Sequence, residues 1–218
     1  MTAPKNAPKK APKTLGARKT AADERARPER FISVDVETAG PTPGDYAMIS
    51  IGACPVDEPE RGFYVELKPD RATVIDSALA VSGLSMETLA KDGTDPAQAM
   101  EEFAEWIRDV VPPQTHRPVF VGFNAVFDWM FVNEYFVRYG IENPFGHGGL
   151  DIKSYYVGMM GSTWAETSMR HLSPKYLSGR PLSHNALGDA RDQAELFRAM
   201  SEDAQALRAA VEGAQEAS

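Results

Sequence analysis

The sequence predicts an α/β domain: a mixed sheet of about five strands covered by helices on both faces. Three observations carry this. Residues 31–67 hold three strand patterns in succession, separated by turn chemistry. From residue 85 onward, amphipathic helical stripes alternate with short apolar runs. The apolar share, 43% of 218 residues, suits one soluble core of ordinary size.

Ordered structure is expected from Phe31. Ile32, Val34 and Val36 alternate with Ser33, Asp35 and Glu37, the period of a strand. Residues 46–56 read as a second strand, with small residues that permit close packing. Asp57 to Gly62 is turn chemistry, and Phe63, Val65 and Leu67 mark a third strand. Short links between the three predict an antiparallel meander. Ser85 to Lys91 reads as a short helix. Asp95-Pro96 supplies an N-cap and a proline at the first helical position; Met100, Phe103, Ile107 and Val110 continue as an apolar stripe that Pro112-Pro113 ends. Pro118 to Val121 is a short apolar strand. Asn124 stands as the cap of a helix that runs to Tyr139 and stops at Gly140. Leu150 to Ile152 reads as a last short strand, and residues 153–160 and 168–177 as short helices around a polar loop. A long helix starts near Asn185, with Leu187, Ala190, Ala194 and Phe197 on one face.

Charge divides the chain. Residues 1–30 hold nine Lys or Arg against three acids, a net +6; the whole chain is −8, which leaves −14 on residues 31–218. The opening segment is Ala/Pro/Lys-rich with almost no large apolar side chains, so a disordered tail is expected over 1–30. Its charge suits neutralising nucleic-acid phosphates and, equally, keeping the chain soluble. Residues 31–205 then form the folded domain, and the Ala/Glu-rich residues 206–218 a fraying C-terminal helix. No apolar run approaches the roughly 18 residues of a membrane span, so no membrane partner is expected. The start lacks the apolar stretch of a secretory signal, and the single Cys54 excludes an internal disulfide framework. Both point to a reducing, cytoplasmic setting. Cys54 itself lies in an apolar run and reads as a buried strand residue.

Four acids and one histidine stand out against this background. Asp35 and Glu37, two apart on the first strand, point to one face near its C-terminal end, where open α/β sheets bind ligands. Asp128 opens a helix that is apolar nearly all round: Phe127, Trp129, Met130, Phe131, Val132, Tyr135 and Phe136. A helix dipole contributes about 1 kcal/mol to a carboxylate there, too little to offset burial of an unpaired charge. No Lys or Arg lies near Asp128 in sequence. Asn124, one turn earlier, fits a helix cap or an amide turned toward a ligand. His184 and Asp189 are five apart; within one helix they would diverge by about 140°, so both reach one site only if His184 lies in the loop before the helix. Several carboxylates in apolar segments are most economically compensated by a divalent metal, and this set, without Cys or clustered His, suits magnesium.

An Asp-x-Glu on the first strand, an Asn-x-x-x-Asp at a mid-chain helix start and a late His-x-x-x-x-Asp form a specific combination. It resembles the DEDDh family of 3′→5′ exonucleases, whose fold is ribonuclease H-like, over residues 31–200. The resemblance implies a metal-dependent exonuclease that hydrolyses phosphodiester bonds from the 3′ end of single-stranded DNA or RNA and releases nucleoside 5′-monophosphates. It implies two Mg²⁺ ions, with Mn²⁺ as the substitute, held by Asp35, Glu37, Asp128 and Asp189. Asp35 would bridge the two ions, Glu37 and Asp189 would hold the ion carrying the attacking water, and Asp128 would support the ion at the leaving oxygen. His184 would be the general base, a role that an unperturbed pKa of about 6.5 suits. Thr38, Asn124 and Phe127 are the expected substrate-binding residues; Phe127 suits base stacking and also plain core packing. Asp151 is expected to be structural. Homodimers are frequent in the family, though no segment here specifies one.

Two departures bear on substrate preference. The segment after Thr38 is proline-rich (residues 39–44), and Phe123 stands where the family often has a histidine before the asparagine. Arg170, Lys175 and Arg180 precede the third motif and are candidates for phosphate contact or ordinary surface charge. The competing reading is a non-catalytic nucleic-acid or partner-binding module with the same fold. A degraded site would mark it, and all five positions are intact.

Overall fold

The computed structural model describes residues 27–181 and 183–216. The expected tail lies outside the described residues as far as residue 26. In chain order the elements are β1 (Glu29–Thr38), β2 (Met48–Pro55), β3 (Phe63–Glu66), α1 (Asp76–Ser82), α2 (Met86–Asp92), α3 (Pro96–Val110), β4 (Arg117–Gly122), α4 (Ala125–Arg138), β5 (Gly149–Asp151), α5 (Ile152–Met160), a 3₁₀ turn (Trp164–Thr167), α6 (Met169–Tyr176) and α7 (Ala186–Glu216).

The five strands form one sheet in the order β3-β2-β1-β4-β5. The meander β1–β2–β3 is antiparallel, whereas β4 and β5 add in parallel on the other side of β1. The mixed sheet that the sequence predicts is therefore present, with β1 at its centre. Alternation on β1 sends Ile32, Val34 and Val36 to one face, where they join Met100, Phe103 and Ile107 of α3 and Phe131, Val132 and Phe136 of α4. A second core on the opposite face joins Cys54 and Val121 to Ile152, Leu172, Leu196, Phe197 and Met200. Cys54 is buried there as expected, its thiol pushed up to about 12 by burial.

Three local features differ from the sequence reading. β1 begins at Glu29, ahead of Phe31, because Glu29 and Arg30 pair with Arg117 and Pro118 and the Arg30 guanidinium bridges Asp57 and Glu58. Helix α1 has no side-chain cap bond and no buried residue, so neither cap chemistry nor an apolar stripe marks it in sequence. The 3₁₀ turn lies inside the segment expected to be polar loop and is fastened by a capping box between Thr163 and Glu166. Residues 206–216 continue α7 as helix.

Two contacts position the elements that matter for the site. Helix α4 is pinned in its last turn by Tyr135, whose hydroxyl accepts from Met48 N–H at 2.8 Å and donates to Asp70 at 2.7 Å. The start of α7 lies directly on β2 at Gly52: a Cβ there would stand 2.2 Å from both Ala186 C and Leu187 N. Gly52 pairs with Asp35 across the sheet, so this close approach brings the N-terminus of α7 beside β1.

Replacing Gly52 with Ala should push α7 off the sheet. We expect a loss of about 1–3 kcal/mol in chemical denaturation, typical of overpacking against rigid backbone. Divalent-metal affinity should fall as well, because Asp189 would be displaced with the helix.

Candidate active site

β1 and β4 run parallel only as far as Ser33 and Val121. Beyond that point β1 continues alone on this side, and Asp35 and Glu37 stand on its extension. The Val36 N–H, left without a strand partner from β4, donates to Asp128 Oδ1 at 3.1 Å. The chain leaving β4 turns through Asn124 in the left-handed region, φ 67°, and enters α4, which carries Asp128 in its first turn. The ends of β1, β4 and α7 thus meet at one edge of the sheet, the crevice where such sheets bind ligands.

Asp35, Glu37 and Asp189 each place a carboxylate oxygen within 4.8 Å of the others. Asp128 lies outside that closest group. It is 4% exposed, and among the charges acting on Asp35 it is the strongest. Burial, followed by the charges of Asp128, Glu37 and Asp189, raises Asp35 well above the usual carboxylate range; a hydrogen bond from Gln193 acts in the opposite direction. Burial and then Asp189 push Glu37 up to about 7. Burial pushes Asp128 up to about 8 against the Val36 hydrogen bond. Among the described residues no Lys, Arg or His pairs with any of the four. Crowded carboxylates, two buried and two half-buried, with no cationic partner are the donor set that a hard divalent cation fits.

Asp189 also organises the loop before its helix. Its Oδ1 accepts from Ser183 N–H at 2.6 Å and Ser183 O–H at 2.9 Å, and its Oδ2 from His184 N–H at 3.0 Å. His184 lies in the loop, as the five-residue spacing requires, with φ 56°. Its side chain is exposed and lines a cleft of about 410 Å³ with Arg170, Ser173, Pro174, Arg180 and Pro181, outside the carboxylate group.

The other expected residues fall as follows. The Thr38 hydroxyl is nearly buried and donates to Gly40 C=O at 2.8 Å. Asn124 occupies the N-cap position of α4 without making a side-chain cap bond. Asp151 caps α4 instead, accepting from Ala125 N–H at 2.9 Å, and it also caps α5 through Ser154, a structural role as expected. Phe127 is half-buried against Phe131. Lys175 pairs with Asp203, and Arg180 with Asp192 and Glu195.

Sequence reasoning missed Gln193. Its side chain is 2% exposed, donates to Asp35 Oδ1 at 2.6 Å and accepts from Phe123 N–H at 2.9 Å. It ties the metal-site strand to the end of β4. The one signal in the sequence was its position four residues after Asp189, on the same helix face.

The sequence pattern of the exonuclease family, ribonuclease T type, matches residues 32–197. The chain belongs to the exonuclease family. It is 49% identical over 174 residues to the 3′-5′ DNA exonuclease Cap18 of Escherichia coli, covering 80% of this chain and 92% of that protein. It is 24% identical to ribonuclease T of Haemophilus ducreyi over 78% of this chain and 83% of that one. The nuclease domain of 3′hExo, a DEDDh family member bound to rAMP, shares the fold with a TM-score of 0.66 at 17% identity, covering 80% of this chain and 92% of that one. E. coli exonuclease I bound to a dT13 oligonucleotide does so with a TM-score of 0.59 at 17% identity, over 76% of this chain and 39% of that one. This exonuclease has the ribonuclease H-like DEDDh architecture that its motifs imply, and it is a hydrolase.

The raised carboxylates make stability depend on pH. The folded protein keeps protons that the unfolded chain has already released, from about pH 4.5 to about 7 at Glu37 and from about pH 3.8 to about 8 at Asp128. Without divalent metal, stability should therefore fall as pH rises through that window. The melting temperature in EDTA should drop between about pH 5 and about pH 8, and Mg²⁺ should raise it more at the higher pH. A melting temperature in EDTA that rises over this range would contradict the buried-cluster geometry.

Proposed function

We propose that this exonuclease removes nucleotides one at a time from the 3′ end of single-stranded DNA, with Mg²⁺ as its metal. The observation that carries the chemistry is the convergence of Asp35, Glu37 and Asp189 within 4.8 Å, with Asp128 buried beside them and, among the described residues, no basic side chain to neutralise the group. The choice of DNA over RNA is supported by the 49% identity with a protein named as a DNA exonuclease. Asp35, Glu37, Asp128 and Asp189 would hold the metal, which when bound supplies Lewis-acid stabilisation of the scissile phosphate. Mn²⁺ satisfies the same oxygen donors.

The protein's own residues do the rest. Asp35 is central: Gln193 aims its carboxylate, and the other three acids surround it. Asp189 would hold a metal with its carboxylate, while its hydrogen bonds keep the His184 loop next to the cluster. His184 accepts a proton from the attacking water, its ring turning from the exposed cleft toward the phosphate when the strand is in place. Thr38, Asn124 and Phe127 flank the terminal nucleotide. The domain from β1 to residue 205 is the catalytic unit, and the basic segment ahead of β1 tethers nucleic acid to an otherwise acidic body. Its one cysteine, buried and unpaired, fits a reducing cytoplasm.

Asp35→Ala or Asp189→Ala should abolish Mg²⁺-dependent release of mononucleotides from a single strand with a free 3′ end, a loss of at least about 10³-fold. Unchanged release would end the assignment. His184→Ala should lower kcat by about 10²–10⁴-fold and leave Mn²⁺ affinity, read by electron paramagnetic resonance, close to wild type. Weakened Mn²⁺ binding with a normal rate per loaded site would instead make His184 a ligand. Matched DNA and RNA strands, digested side by side, decide the sugar preference.

A further inference from the structure

One exposed aromatic side chain takes no part in this chemistry. Trp164 is 54% exposed, a large aromatic face presented to solvent. It is not held loosely: Thr163 N–H and O–H both donate to Glu166, and the Thr167 hydroxyl donates to Trp164 C=O, so the 3₁₀ turn that carries the ring is fixed. The Lys153 ammonium lies 4.1 Å from the centre of the Trp164 ring and 5.7 Å from that of Phe123. Among the described residues Lys153 touches these two rings and forms no ion pair, in a domain whose residues 31–218 carry −14.

The row is connected to the site. The Phe123 N–H donates to Gln193, and Gln193 donates to Asp35. Lys153 is two residues after Asp151, which caps α4 just ahead of Asp128. Phe123, half-buried on the second core, is thus joined through its backbone to the carboxylate group, and Lys153 links its ring to that of Trp164. Aromatic faces that stack bases, alternating with cations that meet phosphates, are how proteins hold a single strand without reading its sequence.

We propose that Phe123, Lys153 and Trp164 form a stacking platform for the stretch of single strand upstream of the terminal nucleotide, with bases on the two rings and a phosphate on Lys153. This rests on the exonuclease reading and adds where the rest of the strand lies. A fixed, exposed tryptophan loses little conformational entropy when a base settles on it. The platform predicts a preference for strands long enough to reach Trp164 over dinucleotides.

The test uses the full-length protein in Ca²⁺ and two 5′-labelled oligothymidylates with phosphorothioate-protected 3′ ends, one ten nucleotides long and one two, with affinity read by fluorescence anisotropy. Trp164→Ala should weaken binding of the longer strand about tenfold and that of the dinucleotide far less, and Trp164→Phe should recover most of the loss. Lys153→Met should reduce the dependence of log affinity on log salt by about 0.7, the loss of one phosphate contact. Unchanged melting temperatures establish that the variants fold. Variants that bind the longer strand as tightly as wild type, or that lose affinity equally for both lengths, overturn the platform. If wild type binds with this tryptophan dependence but releases nothing from an unprotected strand in Mg²⁺, the exonuclease reading fails and the platform stands. If it releases nucleotides and Trp164 has no effect on binding, the platform alone fails.

Discussion

The structure is organised around four carboxylates, Asp128 and Asp189 buried and Asp35 and Glu37 half-buried, that the fold crowds together without a basic partner among the described residues. In water such a group would separate or be screened. Here the backbone denies it that freedom, because Asp35 and Glu37 are two residues apart on the central strand and Asp128 and Asp189 each open a helix that packs against the sheet. The effect is visible in the proton affinities of Asp35, Glu37 and Asp128, all raised first by burial. A metal-free protein relieves the repulsion by holding protons; a divalent ion relieves it by replacing them. Metal affinity, pH dependence and catalysis are thus consequences of one electrostatic constraint.

Holding the cluster requires supports that carry no chemistry of their own. Gly52 lets α7 rest on β2 at backbone distance, which determines where Asp189 stands. The early end of the β1–β4 ladder frees Val36 N–H for Asp128, so the strand geometry that opens the crevice also orients that carboxylate. Gln193 joins Asp35 to the Phe123 backbone, linking the carboxylate group to the end of β4. Tyr135 fixes α4 through Met48 and Asp70. Misplacing one of these contacts by an ångström would be felt at the cluster.

Much of this was legible beforehand, and for a definite reason. Period-two alternation on β1 and the apolar stripes of α3 and α4 are local patterns, so the mixed sheet and its two covered faces could be read directly. The same alternation placed Asp35 and Glu37 on one face, and the five-residue spacing required His184 to lie in a loop. What stayed hidden lacked a local signature. Helix α1 buries nothing, and the β1 start is masked by the charges of Glu29 and Arg30, whose partners are far along the chain. Asn124 looked like a cap, but the bond belongs to Asp151, from another strand.

Near-neighbour chemistry was enough to say which side chains could carry the reaction and on which elements they sit, because side-chain periodicity and helix-start positions depend on short spans of chain. How the cluster closes was settled by the assembled fold: Asp35, Glu37 and Asp189 are the innermost group with Asp128 beside them, His184 faces an exposed cleft, and Gln193 aims Asp35. Those facts depend on contacts between residues up to 158 positions apart, set by where β4 ends and how closely α7 meets Gly52. No window of sequence contains them, because the packing that brings the residues together exists only once the sheet has formed.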